Sequence, residues 1–255
     1  MMKILLEKHP GLDFLKATPE FQDRYSDTVV MRIFFSLDQN DDGRISYWDF
    51  RNSNFVPTLH QVDIEDDINK IRDFFSYEHF YVLYCRFWEL DQDHDFYIDK
   101  EDFSKYEGYA LSRKTTDRIF AQVPRKFKSD RPDKMNYEDF VWFMLCEEDK
   151  STKRALKYWF DIVDIDNNGI IAPYEMEYFY EEQVQRLESL SHEPILFVDL
   201  LCQLNDMIPS KNNQVYFTFE EILSKKEIVG LFFNCLCNLT KFISYETRDM
   251  FSIKH

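Results

Sequence analysis

The chain has 255 residues, of which 25 are Phe and 15 are Tyr, against 5 Gly and 8 Pro. This length exceeds one average domain, and the composition predicts a helical protein with aromatic cores and few tight turns. The formal net charge of −16 argues against nucleic acid or an anionic membrane as the main partner, because both bind basic surfaces.

The first long helix is predicted to begin at Thr18 and Pro19, a cap followed by a proline at the first helical position. It leads into a window, 38–49, in which oxygen-bearing side chains alternate and Gly43 lies at the turn. This is the pattern of an EF-hand calcium loop. The predicted ligands are Asp38, Asn40, Asp42, Arg44 and Asp49, with Arg44 offering its backbone carbonyl. The helix after this loop is expected to stop near Pro57.

A strongly aromatic helix is predicted over residues 77–90, and it enters a second loop at 91–102. The predicted ligands are Asp91, Asp93, Asp95, Tyr97 and Asp102. Phe96 occupies the place of the turn glycine, where a left-handed backbone costs about 1 kcal/mol. Asp102 is one methylene shorter than the usual closing Glu, as is Asp49 in the first loop. A shorter closing residue favours weaker calcium binding or competition by six-coordinate magnesium.

The third loop, 164–175, follows a helix predicted over 152–163 and has the most complete ligand pattern. Its predicted ligands are Asp164, Asp166, Asn168, Ile170 and Glu175. Ile170 offers a backbone carbonyl, and Glu175 can bind through both carboxylate oxygens. Gly169 allows the sharp turn, whereas Ala172 has no side-chain oxygen, so water would complete the coordination there.

Two more windows, 128–139 and 210–221, keep the frame of the motif but lack most of its ligands. Both retain an apolar residue at the eighth position, Met135 and Phe217, where paired EF-hand loops form a short antiparallel contact. The spacing suggests two back-to-back pairs, each of one filled and one empty hand, while loop 38–49 has no evident mate.

The predicted fold class is therefore all-α, an EF-hand protein of about five units with several degenerate loops. Module boundaries near residues 75 and 149 would give three modules, 1–75, 76–148 and 149–255. The last helices are predicted over 219–238 and 240–250. Calcium is the expected cofactor, at loops 91–102 and 164–175 and at loop 38–49 as a third candidate site, with magnesium as a competitor.

Two features bear on location. No stretch approaches the length of an apolar membrane span, and the N-terminal segment MMKILLEKHPG is too short for a signal peptide. The five cysteines lie in apolar contexts without CxxC spacing, which predicts buried, reduced thiols. A soluble cytoplasmic protein is expected.

Three stretches extend beyond what an EF-hand requires, namely FFSYEHFYVLYCRFWELDQDHD at 74–95, EDFVWFMLCEEDK at 138–150 and EYFYEEQ at 177–183. They closely resemble the B double-prime regulatory subunits of the type 2A serine/threonine phosphatase, including the plant Tonneau/Fass branch. The resemblance covers most of residues 12–252. It also matches loops 91–102 and 164–175 to the calcium loops of that family, whereas loop 38–49 falls where many members are degenerate.

This resemblance implies a non-catalytic protein that binds the HEAT-repeat scaffold and the catalytic subunit, with calcium strengthening the assembly. Such a protein would direct the holoenzyme to phosphoprotein substrates and to cytoskeletal, centrosomal or nuclear locations within the cell.

Two other classes of function compete with this one. The low methionine content, 8 residues, argues against a calmodulin-like sensor. The two ligand-poor EF-hand frames and the high aromatic content argue against a calcium buffer. No nucleophile elbow, phosphate-binding glycine loop or His/Asp/Cys constellation points to an enzyme. A regulatory subunit is expected, with a free-standing EF-hand sensor or adaptor as the alternative.

Overall fold

The computed structural model describes residues 1–38, 40–208 and 215–252, of which 247–252 are described by their backbone alone. Helices dominate these residues, which confirms the all-α EF-hand prediction. They form two compact units, one of Met1–His94 with Tyr137–Leu145 and the other of Asp95–Asn136 with Cys146–His255. The division into three modules stays a prediction.

The regular elements follow one another as helices, with one two-stranded ribbon. They are α1 (Met2–Lys8), α2 (Pro19–Leu37), α3 (Tyr47–Asn52), α4 (Phe55–Ile64), α5 (Tyr77–Leu90), α6 (Lys100–Ser104), α7 (Arg113–Phe120), α8 (Tyr137–Glu148), α9 (Lys153–Val163), β1 (Ile170–Ile171), α10 (Pro173–Ser189), α11 (Phe197–Met207), β2 (Phe217–Thr218), α12 (Phe219–Ser224), α13 (Lys226–Cys237) and α14 (Leu239–Ser252). Short 3-10 turns lie at Pro10–Ala17 and Ile68–Lys70.

The first unit is built around an aromatic core between α2 and α5. Tyr25 is fully buried, packs edge-on against Phe80 and donates its hydroxyl hydrogen bond to the carbonyl of Phe75 at 2.6 Å. Arg32, two turns further along α2, donates to the carbonyl of Phe74 at 2.7 Å. These two bonds hold the segment that precedes α5, which in turn enters the second loop.

The second unit has a core of the same kind. The buried indole of Trp159 in α9 donates to the carbonyl of Cys146 at 2.9 Å, which ties α9 to the end of α8. Phe217 packs edge-on against Phe232 of α13, and both rings are fully buried. The aromatic residues therefore form the cores, as their abundance predicts.

The eighth positions of the loops pair as the sequence predicts. Ile98 and Met135 form an antiparallel bridge with two N–H···O bonds of 2.9 and 2.8 Å. In the ribbon, Ile171 of β1 faces Phe217 of β2. Loops 91–102 and 164–175 thus each have a ligand-poor frame beside them.

Several local expectations were wrong. Pro57 does not end a helix but lies in the first turn of α4, where its missing N–H would have no intrahelical acceptor. The predicted helix 219–238 is two helices, which meet at Lys225 with a non-helical backbone. Of the five thiols, Cys202 is exposed and Cys85 is half-buried. The first five residues of the 210–221 frame lie outside the described residues.

No helix within the described residues combines the length and the apolar composition needed to cross a bilayer.

Candidate metal centres

The three ligand-bearing loops share one backbone conformation. In each, the fourth and sixth positions have a left-handed backbone, with φ between +51° and +82°; they are Asp41 and Gly43, His94 and Phe96, and Asn167 and Gly169. Phe96 therefore adopts the left-handed backbone expected for it, at φ +64°. In loops 91–102 and 164–175 this turn accompanies a convergence of carboxylates that include the first and third loop positions.

Loop 164–175 is closed by its two end carboxylates. Asp164 is buried and accepts the N–H groups of Asn168 at 3.1 Å and Gly169 at 2.9 Å. Glu175 is also buried, and its oxygens accept the N–H of Ala172 at 2.8 Å and of Ile165 at 2.5 Å. Burial raises the pKa of Glu175, although these N–H donors oppose the rise. Glu175 thus reaches back across the loop that it closes.

The carboxylates of this loop converge. One oxygen each of Asp164, Asp166 and Glu175 lies within 4.8 Å of the others. The hydroxyl of Tyr174 donates to Asp166 at 2.7 Å and lowers the pKa of that carboxyl. Asn168 also donates to Asp166, at 2.9 Å. Three convergent carboxylates held by neutral donors form the hard-oxygen set that suits calcium.

Loop 91–102 gathers a second group, in which Asp91, Asp93 and Asp95 each place an oxygen within 4.8 Å of the others. Asp95 accepts the N–H of Tyr97 at 2.9 Å and contacts Arg131 at 2.5 Å and Lys134 at 3.1 Å. Desolvation raises the pKa of Asp95, but the hydrogen bonds from these three groups hold it below its usual value.

The closing residue of this second loop, Asp102, is not part of the converging group. Asp102 pairs with Lys105 at 2.8 Å, and its N–H donates to Asp99, the cap of α6. Loop 91–102 thus brings together three of its four predicted carboxylate ligands. This arrangement also fits a hard divalent cation, but with less acidic closure than in loop 164–175.

Loop 38–49 has the same left-handed turn as the other two loops, but its last residue, Asp49, makes different contacts. Asp38 is buried and accepts the N–H of Gly43 at 2.8 Å, and Asp42 accepts that of Arg44 at 2.9 Å. Asp49 instead forms a capping box with Ser46, whose Oγ lies 2.5 Å from its carboxylate. Within the described residues, no third carboxylate joins a group here. Asn40 is exposed, and metal binding by this loop stays a prediction.

Comparisons with known proteins agree with this geometry. An EF-hand domain model matches residues 1–65, and an EF-hand domain pair model matches 80–181. The chain is 48% identical over its whole length to a probable B''delta regulatory subunit of protein phosphatase 2A from Arabidopsis thaliana. It is 42% identical, also over its whole length, to the human B''alpha regulatory subunit of the same phosphatase. A chain of a solved PP2A PR70 holoenzyme superposes with a TM-score of 0.83 at 41% identity, covering 95% of this chain and 89% of that one.

The chain belongs to the B'' regulatory subunit family of protein phosphatase 2A. It spans 47% of the Arabidopsis relative and 22% of the human one. The EF-hands of this B'' family member are those of a calcium-binding fold. The number of metal ions and the assignment of individual ligands stay predictions.

The sequence analysis of this B'' family member missed several residues that shape its candidate metal loops. Arg118 of α7 donates to the carbonyls of Asp161, Ile162 and Asp164 at 2.6–3.0 Å, which fastens the end of α9 where loop 164–175 begins. Nothing in the sequence marks this contact, since it joins residues more than 40 positions apart. Arg131 and Lys134 did leave a signal, because they are cations within the ligand-poor frame 128–139.

Proposed function

We propose that this chain is the calcium-binding part of a non-catalytic PP2A regulatory subunit, which binds the scaffold and catalytic subunits and directs the holoenzyme to its phosphoprotein substrates. The observation that carries the proposal is the convergence of carboxylates in two EF-hand loops of a chain that is 41% identical to a chain of a PP2A PR70 holoenzyme. The names of the curated relatives, all regulatory subunits, support the non-catalytic role.

In this proposal the metal would be held by ten residues in two loops. They are Asp91, Asp93, Asp95, Tyr97 and Asp102 in one loop, and Asp164, Asp166, Asn168, Ile170 and Glu175 in the other. Asp38, Asn40, Asp42, Arg44 and Asp49 form a third candidate set. Bound calcium would supply charge neutralisation and rigid coordination, with no chemical step.

The residues beside the loops supply the contact surface. Trp88 lies on α5, which enters loop 91–102, and its side chain is 39% exposed. Tyr174 lies on α10, which leaves loop 164–175, and is 53% exposed. Trp48, on the helix after loop 38–49, is 65% exposed. Because exposed aromatic side chains are typical of protein interfaces, a metal that fixes these helices would also fix the surface that a partner contacts.

An association assay tests the proposal. The purified chain is mixed with the PP2A scaffold and catalytic pair, in calcium and in chelator, and binding is measured by biolayer interferometry. We expect calcium to strengthen binding by about tenfold, in the usual range of coupling between two sites. Asp91→Ala and Glu175→Ala should each remove part of this gain, because each loop loses a buried carboxylate ligand.

Glu177→Ala is the matched control, since it removes an exposed carboxylate two residues beyond the loop. It should keep the full calcium effect. Equal binding of the parent chain and both loop variants in calcium and in chelator would contradict the proposal. Calcium binding without any association would favour the free-standing sensor or adaptor.

A further inference from the structure

The ligand-poor hand 128–139 places two cations on a carboxylate of its neighbour. Oδ2 of Asp95 lies 2.5 Å from Arg131 and 3.1 Å from Lys134, while Oδ1 accepts the N–H of Tyr97. Asp95 is the fifth-position ligand of loop 91–102. The oxygen that is not held by the loop's own backbone is therefore shared between two positive charges.

These cations are held in place by the fold. Lys134 directly precedes Met135, which is bridged to Ile98 of the neighbouring loop. The N–H of Lys134 bonds to the carbonyl of Arg131 at 3.1 Å, which closes a turn between the two cations. The bridge between the loops thus fixes both residues beside Asp95.

Arg131 is restrained by a second contact as well. Its guanidinium lies 4.0 Å from the centre of the Tyr97 ring, and the Tyr97 hydroxyl donates to Asp130 at 2.8 Å. A guanidinium stacked on an aromatic ring loses less freedom when it pairs with a carboxylate. Arg131 is consequently presented to Asp95 in a preorganised form.

Loop 164–175 differs in the charge of the groups that donate to its carboxylates. The described donors to Asp164, Asp166 and Glu175 are N–H groups, the amide of Asn168 and the hydroxyl of Tyr174, all of them neutral. A neutral donor can keep its hydrogen bond to one carboxylate oxygen while the other oxygen binds a metal. A fixed cation on the same carboxylate repels an incoming divalent ion.

We propose that Arg131 and Lys134 compete with calcium for Asp95 and thereby make loop 91–102 the weaker, more readily exchanged metal site. This inference rests on the proposed function, because it requires that the loop binds calcium. It gives the ligand-poor hand a role as an internal competitor that sets the calcium concentration at which its neighbour fills.

Calcium titration calorimetry on the full 255-residue chain tests the proposal. Asp38→Asn and Glu175→Gln together form the parent background, in which the other two loops are disabled. Adding Arg131→Gln and Lys134→Gln should lower the calcium Kd of loop 91–102 by about three- to tenfold, the range expected when two partly exposed ion pairs are removed. In an Asp91→Asn background, which leaves loop 164–175 active, the same pair should change the calcium Kd of loop 164–175 by less than about twofold, through screened long-range charge alone.

Lys126→Gln is the matched control, because it removes one positive charge from an exposed lysine of the same segment. It should lower the Kd by less than about twofold, through screened long-range charge alone. Each single variant, Arg131→Gln or Lys134→Gln, should exceed this control. A Kd that is unchanged by the double variant, or changed no more than by the control, overturns the competition. If neither the parent nor the double variant binds calcium, the assignment of loop 91–102 as a metal site fails as well.

Discussion

At the scale of single residues, Tyr174 is an exposed aromatic residue that contacts Asp166, a predicted metal ligand. Its ring lies on the first turn of α10, and its hydroxyl donates to Oδ2 of Asp166 at 2.7 Å. This bond raises the pKa of Tyr174 to about 12, so the hydroxyl keeps its proton at any physiological pH. The residue is therefore a permanent donor that holds Asp166 in its inward position.

Tyr174→Phe should weaken calcium binding at loop 164–175 by about two- to tenfold, the equivalent of one net hydrogen bond. The phenylalanine keeps the ring and removes only this donor, so Asp166 keeps the hydrogen bonds from Asn168 and the metal must supply more of its ordering. Calcium titration calorimetry in an Asp91→Asn background would measure the change.

Tyr178→Phe is the control for this prediction. Tyr178 lies one turn further along α10, with its ring beneath the ammonium of Lys114, and removing its hydroxyl should leave the affinity unchanged. An equal effect of both substitutions, or tighter binding by Tyr174→Phe, would show that the hydroxyl does not position Asp166.

At the scale of the elements, two glycines allow the effect of backbone strain on stability to be distinguished from the effect of packing. Gly169 has φ +82° at the turn of loop 164–175, and an added methyl group there would meet no atom within 4 Å. Gly230 lies inside α13, where an added methyl group would make an ordinary contact with Lys150 at 3.5 Å. Both positions have room for alanine, but only the first requires a left-handed backbone.

Opposite stability changes are expected from the two substitutions. Gly169→Ala should destabilise the chain by about 1 kcal/mol, because alanine is strained in the left-handed region. Gly230→Ala should stabilise it by about 0.5–1 kcal/mol, because alanine loses less freedom than glycine in a helix. Urea unfolding in chelator measures both changes. A loss of stability in both variants would mean that space, rather than backbone conformation, decides the outcome.

The elements also show what a sequence can predict. The start of α2 and the loop pairing followed from local patterns, such as the Thr18 cap with Pro19 and the apolar residue Met135 at an eighth position. The break at Lys225 did not follow, because both sides of it have helical patterns and packing decides where the chain turns. Asp49 fits both a metal ligand and a helix cap in the sequence, and the structure shows it in its capping role.

The contacts that distinguish one loop from another could not be predicted from the sequence, although the cations of the frame 128–139 are visible in it. Arg118 and Lys134 reach residues far away along the chain, and their targets depend on how the helices pack. The carboxylates that converge in loops 91–102 and 164–175 are all among the predicted ligands, but Asp102, which was also predicted, is not in the converging group. The ligand pattern could not predict that cations surround one group and neutral donors the other.

At the scale of the whole molecule, the chain has a net charge of −16, and among its described residues it buries one lysine, Lys150, beside a carboxylate. Glu147 and Lys150 are both buried and lie 2.5 Å apart, and the carboxylate of Glu147 also accepts hydrogen bonds from Asn238 and Lys241. Burial lowers the pKa of Lys150 to about 8, although the attraction of Glu147 opposes this change. The pH dependence of folding therefore contains a contribution from one lysine.

The sign of this contribution follows from proton binding. Between about pH 8 and about pH 10.4, the unfolded chain still holds the Lys150 proton that the folded chain has released. Raising the pH across this window therefore favours the folded state through this group. Buried tyrosines act in the opposite direction: Tyr25, whose pKa is raised by burial, holds its proton in the folded chain after the unfolded chain has lost it. The lysine contribution therefore has to be measured as a difference between the parent chain and a variant that lacks this lysine.

Lys150→Met provides that difference, because it keeps the length of the side chain and removes the titrating group. From about pH 7 to about pH 10 the free energy of unfolding of the parent should rise relative to that of Lys150→Met by about 2 kcal/mol. Urea unfolding at both pH values in chelator measures it. Lys153→Met, which removes an exposed lysine of α9, should show no such change with pH. A constant difference between the parent and Lys150→Met would mean that Lys150 keeps its charge in the folded chain across this range, stabilised by Glu147 more strongly than burial opposes it.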